Sequence, residues 1–315
     1  MFAFFDRKPR ATINDHRVHD AAYRLQPLLA RGQYAAVEEA FGKADDNGRE
    51  RLLEGLAAGE GAVAAAAGWV QAQPQSALAQ LLLGASQVAK GVDPYHPQPK
   101  LLKQAEDPLH VAAQLDRSRA DAFAWLIAAE TWCANDRDRL ASLFRAAVAR
   151  APHHWPSHYR FFLAATERHA GSHEEMFAFA RSAAKRAPRG SMIHALLAIA
   201  FCEFARAAGA AGRQRIRRPG CADEVVSALY AWLDADVQDF ASRLAAVEGP
   251  FAGMALNYFA VACYLCGARD EAQALVAALN GEIETRPWTW IANGSREEDN
   301  TAFVYDRVKR ELERG

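Results

Sequence analysis

Apolar residues recur along most of this chain at the three- and four-residue spacing of amphipathic helices, and glycines or prolines interrupt them at short intervals. The first predicted helix begins at Asn14 or Asp15, which serves as its N-cap, and ends at Ala30. Further predicted helices cover residues 34–43, 48–58, 60–73, 120–133, 157–169, 191–208, 222–232, 234–247, 250–264 and 295–312. The pattern therefore predicts many short helices in succession.

One segment of this pattern repeats. Residues 147–152 (AVARAP) recur as residues 183–188 (AAKRAP), 36 residues later. A period of this length is typical of helical-hairpin solenoids, in which each repeat packs mainly on its neighbours. We predict an all-α fold, namely a right-handed α-solenoid of antiparallel helix hairpins with a C-terminal capping helix. Residues 1–12 are predicted to be a flexible leader, and residues 13–315 a single helical-repeat domain.

The spacing within the repeat resembles that of tetratricopeptide repeats. Counting back from Pro152, the positions that this family gives to small, aromatic and small residues hold Ala128, Phe144 and Ala147. The sequence Asn-Asp-Arg at 135–137 is predicted to form the turn between the paired helices. The resemblance implies a tetratricopeptide-like fold.

Residues 91–108 interrupt the pattern with four prolines, the last of them Pro108. Proline removes an amide donor and fixes φ, so we predict an irregular insertion with no helix passing through it. The simpler interpretation is a surface connector, and a functional loop is the alternative.

Composition narrows the classes of function. The formal net charge is −1, whereas nucleic-acid-binding proteins usually carry a basic excess that neutralises phosphates. The apolar start is too short for a signal peptide, and no stretch reaches the ~20 apolar residues of a membrane span. The five cysteines, an odd number, fit reduced thiols in a cytoplasm. We predict a cytoplasmic protein without nucleic acid, membrane or cofactor.

Two clusters suggest metal chemistry, and each has a structural alternative. Cys263 and Cys266 have the spacing of redox and zinc motifs, but they end a predicted helix, so packing in a helix interface is favoured. Five histidines lie between His153 and His173. His154, His158 and His173 are the alternative metal ligands among them, although Pro156 and Gly171 interrupt the helical spacing and packing histidines are favoured.

Charged and aromatic residues supply further candidates. Glu203 shares a predicted helix face with apolar residues, so it either pairs with a base, such as His194, His158 or Arg160, or faces a groove. A loop predicted at 209–219 carries four arginines that would bind an anion or an acidic partner, or would simply be solvated. These are Arg213, Arg215, Arg217 and Arg218. Trp288 and Trp290 lie in a predicted connector. They either form a binding surface or pack the last repeat against the terminal helix.

Residues 157–203 resemble the core of a bacterial helical-repeat family of unknown function. The segments that carry the resemblance are 171–181 (GSHEEMFAFAR), 187–191 (APRGS) and Glu203. The chain lacks the lysine–tryptophan pair that family members place before the glycine–serine. The resemblance implies a tetratricopeptide-like fold and no particular activity.

We therefore predict a non-enzymatic protein-binding module, such as an adaptor, a chaperone or an immunity-type protein, which binds another protein or peptide in a concave groove. The predicted groove contacts are Arg160, Glu167, His194, Glu203, Trp125 and Trp132. One alternative is a metal-dependent enzyme or small-ligand binder that uses the His153–His173 cluster and Glu203. The other is a homo-oligomeric structural protein, possible as a homodimer through the terminal helix and the two tryptophans.

Overall fold

The computed structural model describes residues 11–13, 20–92, 96–216, 220–292 and 301–314, and these residues are predominantly helical. The protein is all-α, as the spacing of its apolar residues predicts. The chain divides into two compact units. One is His16–Phe179, and the other combines Met1–Asp15 with Ala180–Gly315. The region 13–315, which the sequence predicts to be a single helical-repeat domain, thus spans two compact units. That these units form one domain remains a prediction.

The first unit is built from ten helices in its described part, followed by the start of an eleventh. They are α1 (Asp20–Ala30), α2 (Tyr34–Lys43), α3 (Asp46–Ala57), α4 (Ala62–Ala72), α5 (Ala77–Gly91), α6 (Pro99–Gln104), α7 (Glu106–Leu115), α8 (Asp121–Cys133), α9 (Arg137–Arg150), α10 (Trp155–Ala164) and α11 (His173–Arg186), which continues into the second unit.

Short polar side chains begin several of these helices. Asp45 Oδ1 accepts a hydrogen bond from the amide of Gly48 at the start of α3, and Asp136 caps α9 in the same way. Ser172 and Glu175 form a capping box at the start of α11, because the amide of each donates a hydrogen bond of 3.1 Å to the side chain of the other. Two residues before this capping box begins, Ala170 adopts a left-handed backbone conformation (φ 58°).

Small residues allow close packing in the first unit. A Cβ at Gly84 of α5 would lie 2.4 Å from Leu109 Cγ of α7, so only glycine lets these helices approach as they do. Phe144 of α9 stacks on Phe161 of α10 with ring centroids 4.5 Å apart. Phe144, at the aromatic position of the repeat pattern, thus packs between neighbouring helices of this unit.

The prediction of an irregular insertion over 91–108 is wrong for much of that segment. Helix α6 begins at Pro99, and Pro108 lies in the first turn of α7. The first amides of a helix have no intrahelical acceptor, so proline is tolerated there and its fixed φ suits a helix start. Residues 93–95 lie outside the described part of the chain.

The second unit contains helices and a two-stranded parallel ladder in which Thr12 pairs with Glu282 and Ile13 with Ile283. Thr12, at the end of the predicted flexible leader, is therefore held in a strand, and residues 1–10 lie outside the described residues. The elements are β1 (Thr12–Ile13), α12 (Ala195–Ile216), α13 (Cys221–Leu233), α14 (Phe240–Ala245), α15 (Ala252–Cys266), α16 (Arg269–Leu279), β2 (Glu282–Ile283), α17 (Thr285–Trp288) and α18 (Thr301–Glu313).

Two predicted boundaries in the second unit change. Asp234 is left-handed (φ 50°) and ends α13, so the helix predicted over 234–247 is reduced to α14. Helical backbone resumes after a non-helical Gly209, so the loop predicted from 209 is largely helical up to Ile216. The window 192–209 is long and apolar enough to cross a membrane, but most of it is buried, and core helices pass the same test.

Aromatic and sulfur-containing residues fill the core of the second unit. Trp288 is fully buried, packs edge-on against Tyr305 of α18 and donates a hydrogen bond from Nε1 to Asn257. Trp288 therefore packs against the terminal helix α18 and does not form an exposed binding surface. Cys263 and Cys266 are buried in α15, and burial raises the pKa of both thiols, so they pack as small apolar residues.

Candidate binding cavity

Four helices of the first unit surround a cavity of about 380 Å³. Helix α3 contacts α5, α5 contacts α8, α8 contacts α10, and α10 returns to contact α3. The cavity is thus bounded on four sides, and its volume falls in the range of about 300–1,000 Å³ that is usual for ligand pockets. Its apolar wall consists of Ala58, Val88, Ala89, Val92, Trp125, Ala128, Trp132 and Leu163.

The polar part of the lining is small. It consists mainly of Arg51 and Glu54 from α3 and of Tyr159 and Arg160 from α10. Arg51 Nη1 lies 3.1 Å from Glu54 Oε2, one turn along the same helix. An apolar cavity with a few placed polar groups is typical of sites that bind an amphipathic group.

Arg160 is fixed by two contacts from different helices. Its Nη2 donates a hydrogen bond to Glu50 Oε1 of α3, and its guanidinium lies 4.2 Å from the centre of the Trp125 ring of α8. The ion pair and the cation–π contact both act on a side chain that is only 11% exposed. Arg160 is therefore a preorganised cation at the wall of the cavity.

Glu50 is the functional candidate that the sequence analysis missed. It is 1% exposed, and burial raises its pKa to about 7, although the adjacent Arg160 opposes the rise. Glu54 and Asp121 add smaller upward contributions to this pKa. The pattern that singles out Glu203 in the sequence, an acidic residue on an apolar helix face, also applies to Glu50. Glu50 shares the buried face of its helix with Leu53 and Leu56.

Two tryptophans make the aromatic part of the wall. Trp125 is almost fully buried, and its Nε1 has no hydrogen-bond partner among the described residues. Trp132, in contrast, is 37% exposed and meets His169 edge-on, with ring centroids 4.8 Å apart. Exposed aromatic rings beside apolar pockets are enriched where proteins bind partners.

A second cavity of the first unit, of about 510 Å³, is lined by a charged network. Arg119 joins Asp46 of α3 to Asp121 of α8, with N–O distances of 2.7 Å to both. Burial raises the pKa of Asp121, but His154 and Arg119 more than offset that effect and hold this pKa well below its ordinary value. Because the charges pair within the cavity wall, the network fastens α3 to α8.

Each of the three predicted metal ligands contacts an oxygen atom of the protein through its Nδ1. His154 Nδ1 lies 2.8 Å from Ser157 Oγ, His158 Nδ1 lies 3.0 Å from the carbonyl of His154, and His173 Nδ1 lies 3.0 Å from Glu167 Oε1. Among the described residues, no group of three or more His, Cys, Asp and Glu side chains is arranged to hold a metal ion. The alternative of a metal site gains no support from this part of the chain.

The structure separates the six predicted groove contacts. Trp125, Trp132 and Arg160 all line the first cavity. Glu167 does not; it pairs with His173 on the surface of the same unit.

His194 and Glu203 belong to the second unit and have local partners. His194 Nε2 lies 2.9 Å from the carbonyl oxygen of Pro188, and burial lowers the pKa of this imidazole. Glu203 is buried and pairs with Arg206, one turn along the same helix, at 3.0 Å. Arg206 is thus a partner of Glu203 that does not appear among the bases predicted from the sequence.

The predicted arginine loop is only partly described. Arg213 and Arg215 fall in helical backbone, whereas Arg217 and Arg218 lie outside the described residues. In comparisons with known proteins, no family model and no curated sequence matches the chain.

Proposed function

We propose that this chain is a non-enzymatic binding module whose four-helix cavity takes an apolar side chain of another protein. The observation that carries the proposal is the cavity itself, which has an aromatic and aliphatic wall, a fixed guanidinium and an exposed tryptophan beside it. Partner proteins commonly anchor themselves by inserting one large apolar side chain into such a pocket.

The architecture that accompanies this proposal is a right-handed solenoid of antiparallel hairpins, similar to tetratricopeptide repeats, with α18 as its cap. Two observations in the first unit support it. Helices α3, α5, α8 and α10 contact one another in chain order, and Ala147 of the repeated motif is fully buried.

Filling the cavity tests the proposed function. Ala128 lines the cavity on α8, so Ala128→Phe would place a ring inside it, and Ala89→Phe would do the same from α5. Ala149 of α9 is exposed, so Ala149→Phe is a matched control. A phage-displayed library of random dodecapeptides is selected on each immobilised protein, after circular dichroism has established that each is folded.

We expect peptides with a shared apolar residue to be enriched on the unmodified protein and on Ala149→Phe. Both cavity-filled variants should lose that enrichment. No enrichment on the unmodified protein, or equal enrichment on the filled variants, would contradict the proposed function.

A further inference from the structure

The guanidinium of Arg160 has hydrogen-bonding capacity that its contacts leave unused. A guanidinium carries five N–H donors in a planar fork. Within the described residues, the hydrogen bond of Arg160 goes from Nη2 to Glu50, and the Trp125 contact is with the face of the guanidinium and uses no donor. Because Arg160 also lines the cavity, its remaining donors are available to an occupant.

We propose that the occupant carries a glutamate side chain next to its apolar anchor, and that the glutamate carboxylate binds Arg160 from the cavity side. This inference rests on the proposed function and specifies the chemistry of the partner. A carboxylate matches the guanidinium fork in charge and in geometry, and a pair held by two parallel hydrogen bonds is stronger than one between neutral groups.

A side-chain carboxylate fits this site better than a main-chain carboxylate. The Arg160 side chain is only 11% exposed, and the cavity wall around it is largely apolar. A chain terminus would carry peptide N–H and C=O groups into that wall, where few partners exist for them. Thr131 already donates its hydroxyl to Ile127. Burying unpaired peptide groups is unfavourable, whereas a glutamate reaches inward on an apolar stem.

Glu50 would compete with the incoming carboxylate for Arg160. The charged groups that act on Glu50 are Arg160 of α10, Glu54 of its own helix, which pairs with Arg51, and Asp121 of α8. Two carboxylates beside one guanidinium repel each other unless one of them is protonated. Burial raises the pKa of Glu50 to about 7, so Glu50 is the group that takes up the proton when the occupant binds.

Peptide arrays test the proposal on the unmodified protein. Each peptide carries one apolar residue and one neighbouring variable residue between glycine–serine spacers, and each is made in two forms, with a free and with an amidated C-terminus. We expect amidated glutamate peptides to bind about tenfold to a hundredfold more tightly than their glutamine counterparts.

The other outcomes of the array are distinguishable. Equal binding of glutamate and glutamine peptides would overturn the inference and leave the proposed function standing. Binding that requires the free C-terminus would also overturn it, in favour of a main-chain carboxylate. If no peptide binds better to the unmodified protein than to Ala128→Phe, the proposed function fails as well.

Calorimetry with Glu50→Gln gives a second readout. Titrations of the best glutamate peptide at about pH 7.5, in buffers of different ionisation enthalpy, should show proton uptake by the unmodified protein. Glu50→Gln should take up none and should bind this peptide about tenfold more tightly, because its competing carboxylate is gone. Unchanged affinity and unchanged proton uptake in Glu50→Gln would contradict the role of Arg160.

Discussion

The buried carboxylate of Glu50 makes the stability of the first unit depend on pH in an unusual direction. Its pKa rises from an ordinary value of 4.5 to about 7 in the folded chain, because burial disfavours the ionised form more than Arg160 favours it. The folded state therefore binds more protons than the unfolded state between these two values. Proton binding by Glu50 therefore stabilises the folded state fully below the unfolded pKa of 4.5. This stabilisation is lost as the pH rises through the folded pKa of about 7.

The magnitude follows from the shift. A pKa raised from 4.5 to about 7 corresponds to roughly 3 kcal/mol over the full titration, of which about 2 kcal/mol falls between about pH 5 and pH 7. Glu50→Gln keeps the shape of the side chain but cannot ionise. Relative to Glu50→Gln, the unmodified protein should thus lose about 2 kcal/mol of unfolding free energy across that interval.

Urea unfolding followed by circular dichroism at several pH values measures this difference. Glu60 is an exposed carboxylate in the same unit, so Glu60→Gln is the control and should follow the unmodified protein at every pH. If the curves of Glu50→Gln and of the unmodified protein run parallel between about pH 5 and pH 7, Glu50 is ionised throughout and the reasoning is refuted.

Three further predictions concern packing and thiol chemistry. Trp288→Ala should lower the unfolding free energy by about 3–5 kcal/mol in denaturant titrations, because it empties a fully buried site. Gly84→Ala should cost about 1–3 kcal/mol and lower the melting temperature, since its new Cβ overlaps a leucine of α7. Ellman's reagent should modify exposed Cys133 in the folded protein and reach Cys263 and Cys266 only after unfolding, because burial raises the pKa of both thiols.

The sequence predicted part of the candidate site and missed another part for an identifiable reason. Arg160, Trp125 and Trp132 are three of the six groove contacts that the sequence predicts, and all three line one cavity. Glu50 and the wall from α5 were missed. They lie far from Arg160 in the chain, and periodicity within one helix carries no information about which distant helix it meets.

The same distinction explains the errors in the fold. A proline in the sequence does not reveal whether it falls inside a helix or in its first turn, so the prediction of no helix over 91–108 fails at Pro99 and Pro108. Arg206 pairs with Glu203 from one turn along the same helix, and this pair is absent from the sequence-based predictions. Both outcomes depend on where a helix begins and how its side chains pack.

By itself the sequence determined that the chain is helical and where most helices lie, because these properties depend on neighbours within a few residues. The tertiary structure decided which charges are buried together and which helices enclose a cavity. Glu50 and Arg160 are 110 residues apart in the chain, and only the return of α10 onto α3 brings them into contact. The packing of these distant segments buries Glu50, which raises its pKa although Arg160 opposes the rise, and it fixes Arg160 at the cavity wall.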